Sequence, residues 1–277
     1  MENMFGSDSI LYIKTGVSKG RTIITDSYFT APLKVAKPFY KVKSNIAEVM
    51  VMSASAGVMA GDCYRTEIDM GESTAMTLQG QSYTKIHKMN EGCGRQQNMF
   101  TVREAAFLDY DPRPSIPFAN SDYISDTSCF LSEGSQYLYS EIIACGREKS
   151  GERFGFRRYR SNNKVYYCNK LIFIDNQDLR PQDQELSGIG FFEGFSHQGT
   201  LAYFYDGMVR EACMDRIYER LQGYSGIEAG ISLTYKYGII VRILANGSDY
   251  LENIIRDIRN EIMSMQLEKF ILTEREC

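Results

Sequence analysis

The first 205 residues divide into short stretches that favour extended backbone. Arg21–Phe29 (RTIITDSYF), Ala47–Ala54, Tyr64–Met70, Thr74–Leu78, Asn98–Val102, Ala106–Tyr110, Gln136–Ala144 and Val165–Ile174 are rich in Val, Ile, Thr, Tyr and Phe. Several alternate apolar with polar residues, the period of a strand with one buried face. Turn signals fall between them, at Ala56-Gly57, Ala60-Gly61-Asp62, Met70-Gly71-Glu72, Asp111-Pro112 and Gly146 to Gly151. Such a chain must bury strand faces against one another. No sequence repeat of 20–50 residues is visible, so periodicity alone does not indicate a solenoid.

Helical spacing appears only near the C-terminus. Asp206–Gln222 carries Met208, Val209, Ala212, Ile217 and Leu221 on one side and stops at Gly223. Ser248–Lys269 repeats Leu251, Ile254, Ile255, Ile258, Ile262 and Met265 at helical spacing, with Ser248 as N-cap and Asp249 and Glu252 at the positive end of the dipole. Between them Gly230–Ala245 reads as two strands, an order that resembles a small split α/β unit. No Pro-, Ser- or Gly-rich linker separates halves. One domain over 1–277 is therefore expected, with a β-rich body over about 10–205 and a helix-strand-strand-helix part over about 206–270.

Composition narrows the chemistry. A net charge of −4 disfavours a nucleic-acid binder, which needs a basic face. The longest apolar runs, such as Tyr237–Ala245, are too short to span a bilayer, and Met1–Ser9 lacks the basic and apolar regions of a signal peptide. The seven cysteines include no C-x-x-C pair and read as reduced cytosolic thiols. The two histidines, His87 and His197, lie in no catalytic signature and are too few for a usual catalytic zinc site.

Four segments carry candidate chemistry. Ser55-Ala56-Gly57-Val58-Met59-Ala60-Gly61-Asp62 is a small-residue run that delivers a carboxylate; Asp62 makes either an Asx-type turn or the lining of a polar passage. Ser82-Tyr83-Thr84-Lys85 sets hydroxyls beside an ammonium, and on its own is a surface strand. Asp109–Phe118 holds three of the six prolines and must be rigid and extended. Glu141 and Glu152 flank the turn Gly146-Arg147-x-x-x-Gly151, where an Arg–Glu pair is the plain expectation.

Taken in order, T-I-I-T-D-S-Y-F-T-A-P-L-K-V (22–35), S-A-G-V-M-A-G-D (55–62), S-Y-T-K-I (82–86), Y-D-P-R-P-S-I-P-F (110–118), E-I-I-A-C-G-R-E-K-S-G-E (141–152) and G-I-I-V-R-I-L (238–244) resemble the urease accessory family UreD, called UreH in some bacteria. The resemblance runs from about Arg21 to about Ile262. It departs at Leu138-Tyr139, where the family often has Trp, and at the C-terminus, where many members end in Pro-Arg-x-Trp.

The resemblance implies a mainly β fold with two C-terminal helices, built as a right-handed β-helical body of many short strands. It implies a non-enzymatic, cytoplasmic nickel-delivery chaperone that binds the urease apoprotein and recruits UreF and the GTPase UreG. No tightly bound cofactor is implied, only transient nickel(II), and neither nucleic acid nor membrane is a partner. By motif match, Asp62, Glu141 and Glu152 stand on the metal route, with Thr84, Lys85 and Arg147 as polar or structural neighbours. Borderline divalent ions exchange readily among carboxylates, hydroxyls and water, whereas clustered His and thiolate trap them. A conduit poor in His suits transit.

Two other functions are weighed. One is a carbohydrate-active enzyme on a β-helical body with Glu141 and Glu152 as acid and base, which needs the pair about 5 to 9.5 Å apart across a cleft. The absence of Trp for sugar stacking counts against it. The other is an interaction module that never touches metal.

Overall fold

The computed structural model describes residues 8–41, 44–208 and 210–266. Among them the chain forms strands β1 (Ser9–Ser18), β2 (Arg21–Phe29), β3 (Leu33–Val35), β4 (Ala47–Ser53), β5 (Cys63–Met70), β6 (Ala75–Gly80), β7 (Thr84–Ile86), β8 (Gly94–Val102), β9 (Phe107–Asp111), β10 (Ser115–Pro117), β11 (Asp122–Leu131), β12 (Gln136–Ala144), β13 (Arg158–Tyr167), β14 (Lys170–Leu179) and β15 (His197–Tyr205). Helix α1 (Arg210–Gln222), strands β16 (Ile227–Leu233) and β17 (Gly238–Ala245), and helix α2 (Ser248–Gln266) complete it.

The strands wind. One sheet runs in the order β14-β13-β11-β8-β5-β1-β2, and the other follows β16-β17-β15-β12-β9-β6-β4-β3 with β7 and β10 alongside. The chain alternates between them, β5 to β6, β8 to β9, β11 to β12, and each crossing returns parallel to the strand one coil earlier. The short β7 and β10 pair in parallel as a third face. The result is a β-solenoid of about four turns, the β-helical body that the resemblance implies. Antiparallel strands finish it: β2 at one end, and β14 and the β15-β17-β16 meander at the other.

Alternation sets the layers. In β8, Asn98, Phe100 and Val102 are buried while Arg95 and Met99 are exposed, so one face fills the space between the sheets. In β12 both faces are covered. Tyr137 and Tyr139 turn inward to the aromatic and aliphatic core, and Leu138 and Ile142 turn outward to α2. A strand covered on both sides reads as a nearly continuous apolar run, as QYLYSEIIA does. Helix α2 lays Leu251, Ile254, Ile255, Ile258 and Ile262 on this outer face. Gly199 of β15 lets it come close, because a Cβ there would press on Leu251 and Ile255.

Four expectations are corrected. Val165–Ile174 is not one strand but a hairpin, since Cys168 and Asn169 both take left-handed backbone and turn the chain without Gly or Pro. The strands after α1 do not form a separate split α/β unit; they extend the second sheet beside β15. Helix α1 starts at Arg210 and buries Cys213, Ile217 and Leu221, which leaves Ala212 exposed, while Met208 is buried in the connection before it. Ser248 opens α2, but its hydroxyl is engaged by His197 rather than spent on the helix alone. Val209 and Lys269 lie outside the described residues.

Candidate functional site

The space between the sheets is not uniformly apolar. Parallel register stacks equivalent positions of successive coils. Tyr64, Gln96, Ser125 and Ser161 form one rank across β5, β8, β11 and β13, and Thr66, Asn98, Thr127 and Asn163 form the next. The opposite sheet contributes Tyr110 from β9 and Tyr139 and Glu141 from β12. A polar belt therefore crosses the interior between apolar layers.

Two cavities lie in it. The inner one, about 40 Å³, is lined by Gln96, Asn98, Tyr123, Tyr139, Glu141 and Ser161 among others. The outer one, about 170 Å³, reaches the exposed rim at Ser53, Gln81 and Ser82. Thr84, Gln96, Tyr110, Pro112 and Arg113 line both and form the wall between them. Neither lining includes a cysteine or a histidine.

Glu141 is the carboxylate of the inner cavity, whose shared wall also holds Arg113. Tyr159 donates to its Oε1 at 2.7 Å, and Ser161 at 2.7 Å and Asn163 at 3.3 Å donate to its Oε2. Burial raises its pKa above the usual carboxylate range, and the bonds from Tyr159 and Ser161 oppose that rise. Around it Tyr123 donates to Gln96 Oε1 at 2.6 Å and Asn98 donates to Thr127 at 3.0 Å. Burial pushes the phenols of Tyr110, Tyr123, Tyr139 and Tyr159 up, so they stay neutral. The Tyr139 hydroxyl is buried and has no partner among the described residues.

The other expected residues take different places. Asp62 is half-buried at the turn before β5, where the Met59 amide donates to it at 2.8 Å and the Tyr64 hydroxyl stands 3.4 Å away. It makes the turn, and through Tyr64 it touches the outer cavity's lining. Thr84 lines both cavities, but Lys85 is exposed, because adjacent strand residues face opposite sides. Glu152 is held by Arg147 and by the Ala119 amide at 3.1 Å, and Arg147 lies 4.1 Å over the Phe118 ring. The Arg147 guanidinium holds the Glu152 carboxyl below its ordinary pKa. This turn clamps the proline-rich segment, and only Glu141 of the two glutamates lines the inner cavity. Among the described residues no group of three or more His, Cys, Asp or Glu could hold a metal.

The tyrosines and the Gln96, Asn98, Ser161 and Asn163 ranks are absent from the sequence expectations. In β11 and β13 the inward Ser125, Thr127, Ser161 and Asn163 lie within unbroken polar runs, Ser125–Ser128 and Arg160–Lys164, which read as solvated segments until the coil shows alternate residues pointing inward.

The family model for the urease accessory protein UreD matches residues 9–273. The chain belongs to the UreD family. Urease accessory protein UreD of Acetivibrio thermocellus is 51% identical over 260 residues, covering 94% of this chain and 99% of the relative. UreH of Helicobacter hepaticus is 35% identical over 256 residues, covering 92% and 98%. UreD of Flavobacterium johnsoniae is 31% identical over 253 residues, 91% of each. In this UreD-family chain Thr84 lines the outer cavity, Asp62 meets that lining only through Tyr64, and the segment opening at Glu141 supplies the carboxylate of the inner one. Among the described residues no helix is long and apolar enough to cross a membrane.

Proposed function

We propose that this chain is a nickel-delivery chaperone and scaffold for urease. In this reading it binds the urease apoprotein in the cytoplasm, recruits UreF and UreG, and passes hydrated nickel(II) along its polar interior without catalysing a reaction. The supporting observation is the Glu141 carboxylate, hydrogen-bonded yet facing a water-sized cavity that shares a wall with a larger one reaching the surface. Carboxylate, hydroxyl and amide groups exchange a borderline cation quickly. A buried carboxylate is costly in a dry interior, so the passage holds water, for which the unpartnered Tyr139 hydroxyl is a waiting contact.

The test is urease activation with the complete accessory set at limiting and at saturating nickel. Glu141→Gln is expected to slow activation at limiting nickel while complex assembly is unchanged, and Asp62→Ala to do so more weakly. Rates equal to the parent in both conditions, with assembly intact, would overturn the transit reading and leave the metal-free scaffold. Turnover of a polysaccharide panel by the isolated chain would instead restore the enzyme reading.

A further inference from the structure

The wall between the two cavities contains one charged side chain, Arg113. Its backbone cannot shift readily, because Pro112 and Pro114 fix φ on either side. Movement is left to the side chain. The guanidinium is drawn outward by α2, with Nη1 2.7 Å from Glu252 Oε1. It lies 5.3 Å over the Tyr83 ring. The Tyr83 hydroxyl itself donates to Glu252 at 2.6 Å and lies 3.0 Å from Asp249 Oδ1. Asp111, which takes hydrogen bonds from Ser140 and Arg259, adds a further carboxylate near this joint. The Arg113 Nε stays buried and has no partner among the described residues.

These contacts join the interior wall to a helix on the outside of the body. A guanidinium beside a passage for cations repels them, and Glu252 both neutralises it and holds its head away from the wall. We propose that Arg113 is a valve between the outer and inner cavities, held open by Glu252 of α2. The inference rests on the transit reading above. It adds a regulatory element, since any event that draws the first turn of α2 away would release Arg113 and close the route to Glu141.

The chain has no Trp, so a lanthanide that reaches the inner cavity is sensitised by tyrosine alone. Terbium(III) is mixed with the full-length chain in a stopped-flow instrument with excitation of tyrosine. The luminescence lost in Glu141→Gln defines the inner-cavity component, and excess nickel(II) should suppress it. Glu252→Gln is expected to slow that component about tenfold, the effect of a single released charge at short range. Arg113→Gln should leave it at least as fast as in the parent, and Arg113→Gln combined with Glu252→Gln should restore the parent rate. A double variant as slow as Glu252→Gln would show that only an attracting carboxylate was lost, and would overturn the valve. A parent with no Glu141-dependent component would overturn the transit reading itself. A component present but indifferent to Glu252 and Arg113 would overturn the valve alone. Circular dichroism on each variant separates misfolding from these outcomes, and if Glu252→Gln does not fold, Glu252→Ala takes its place in the single and the double variant with the same expected rates.

Discussion

Glu141 stands among donors placed for a carboxylate, and that placement separates its charge from its shape. Glutamine keeps an oxygen for Tyr159 or Ser161 and removes the buried charge. Glu141→Gln should therefore melt no lower than the parent at neutral pH. Leucine would strand the Tyr159, Ser161 and Asn163 donors, at about 2–4 kcal/mol. Thermal unfolding of the two variants checks the order, and a leucine variant as stable as the glutamine one would mean those donors find water instead. His197 is a second residue whose environment fixes its protonation. The Gly247 amide can only donate, and it points at Nδ1, so the ring is neutral with its proton on Nε2 facing Ser248. Burial lowers the His197 pKa, against the opposing pull of Glu148 and Asp249. A depressed histidine means that the unfolded chain binds the proton more readily, so stability is lost as pH falls through about 6.5, the unfolded value. The melting midpoint should drop across that range more in the parent than in His197→Gln, and parallel pH profiles would refute the assignment.

At the scale of elements, α2 is held by more than its apolar stripe. Arg259, 6% exposed, reaches through the packed face to Asp109, 1% exposed, and to Asp111 and Ser140. Removing one member of such a cluster leaves an uncompensated buried charge. Arg259→Met should cost about 3–5 kcal/mol in denaturant unfolding, and adding Asp109→Asn should recover part of that loss. Recovery of none would indicate that Arg259 acts through packing alone. The helix itself was legible, because Leu251, Ile254, Ile255, Ile258 and Ile262 repeat at a period no strand can use. The clamp was not, since Arg259 reads as one more solvent charge on the polar side. Strand β11 was missed for a related reason. In DYISDTSCFL, Ser125 and Thr127 face a polar cavity instead of the core, so the usual contrast between an apolar and a polar face is absent. The turn of β13 into β14 was missed because Cys168 and Asn169 carry left-handed backbone that glycine usually signals.

The winding of the whole molecule was hidden from periodicity for a similar reason: one inward rank holds Tyr64, Gln96, Ser125 and Ser161, four positions with three residue types and no fixed spacing. Only ordered motifs gave it away. Because the coils stack these ranks into one belt, a cation resting at Glu141 binds the folded chain and not the unfolded one, and must raise its stability by mass action. Nickel(II) at about tenfold over its dissociation constant should contribute about 1.4 kcal/mol, a rise in melting midpoint of about 2 °C for a chain of this size. The pH dependence locates the site. A proton on Glu141 competes with the cation, and burial places that proton's pKa above the ordinary carboxylate value. The nickel-induced rise should therefore begin to fade at a higher pH than for a surface carboxylate, which stays ionised until near 4.3. Glu141→Gln should remove this component at every pH. A rise that persists in Glu141→Gln would place the cation on the surface and detach the interior belt from nickel.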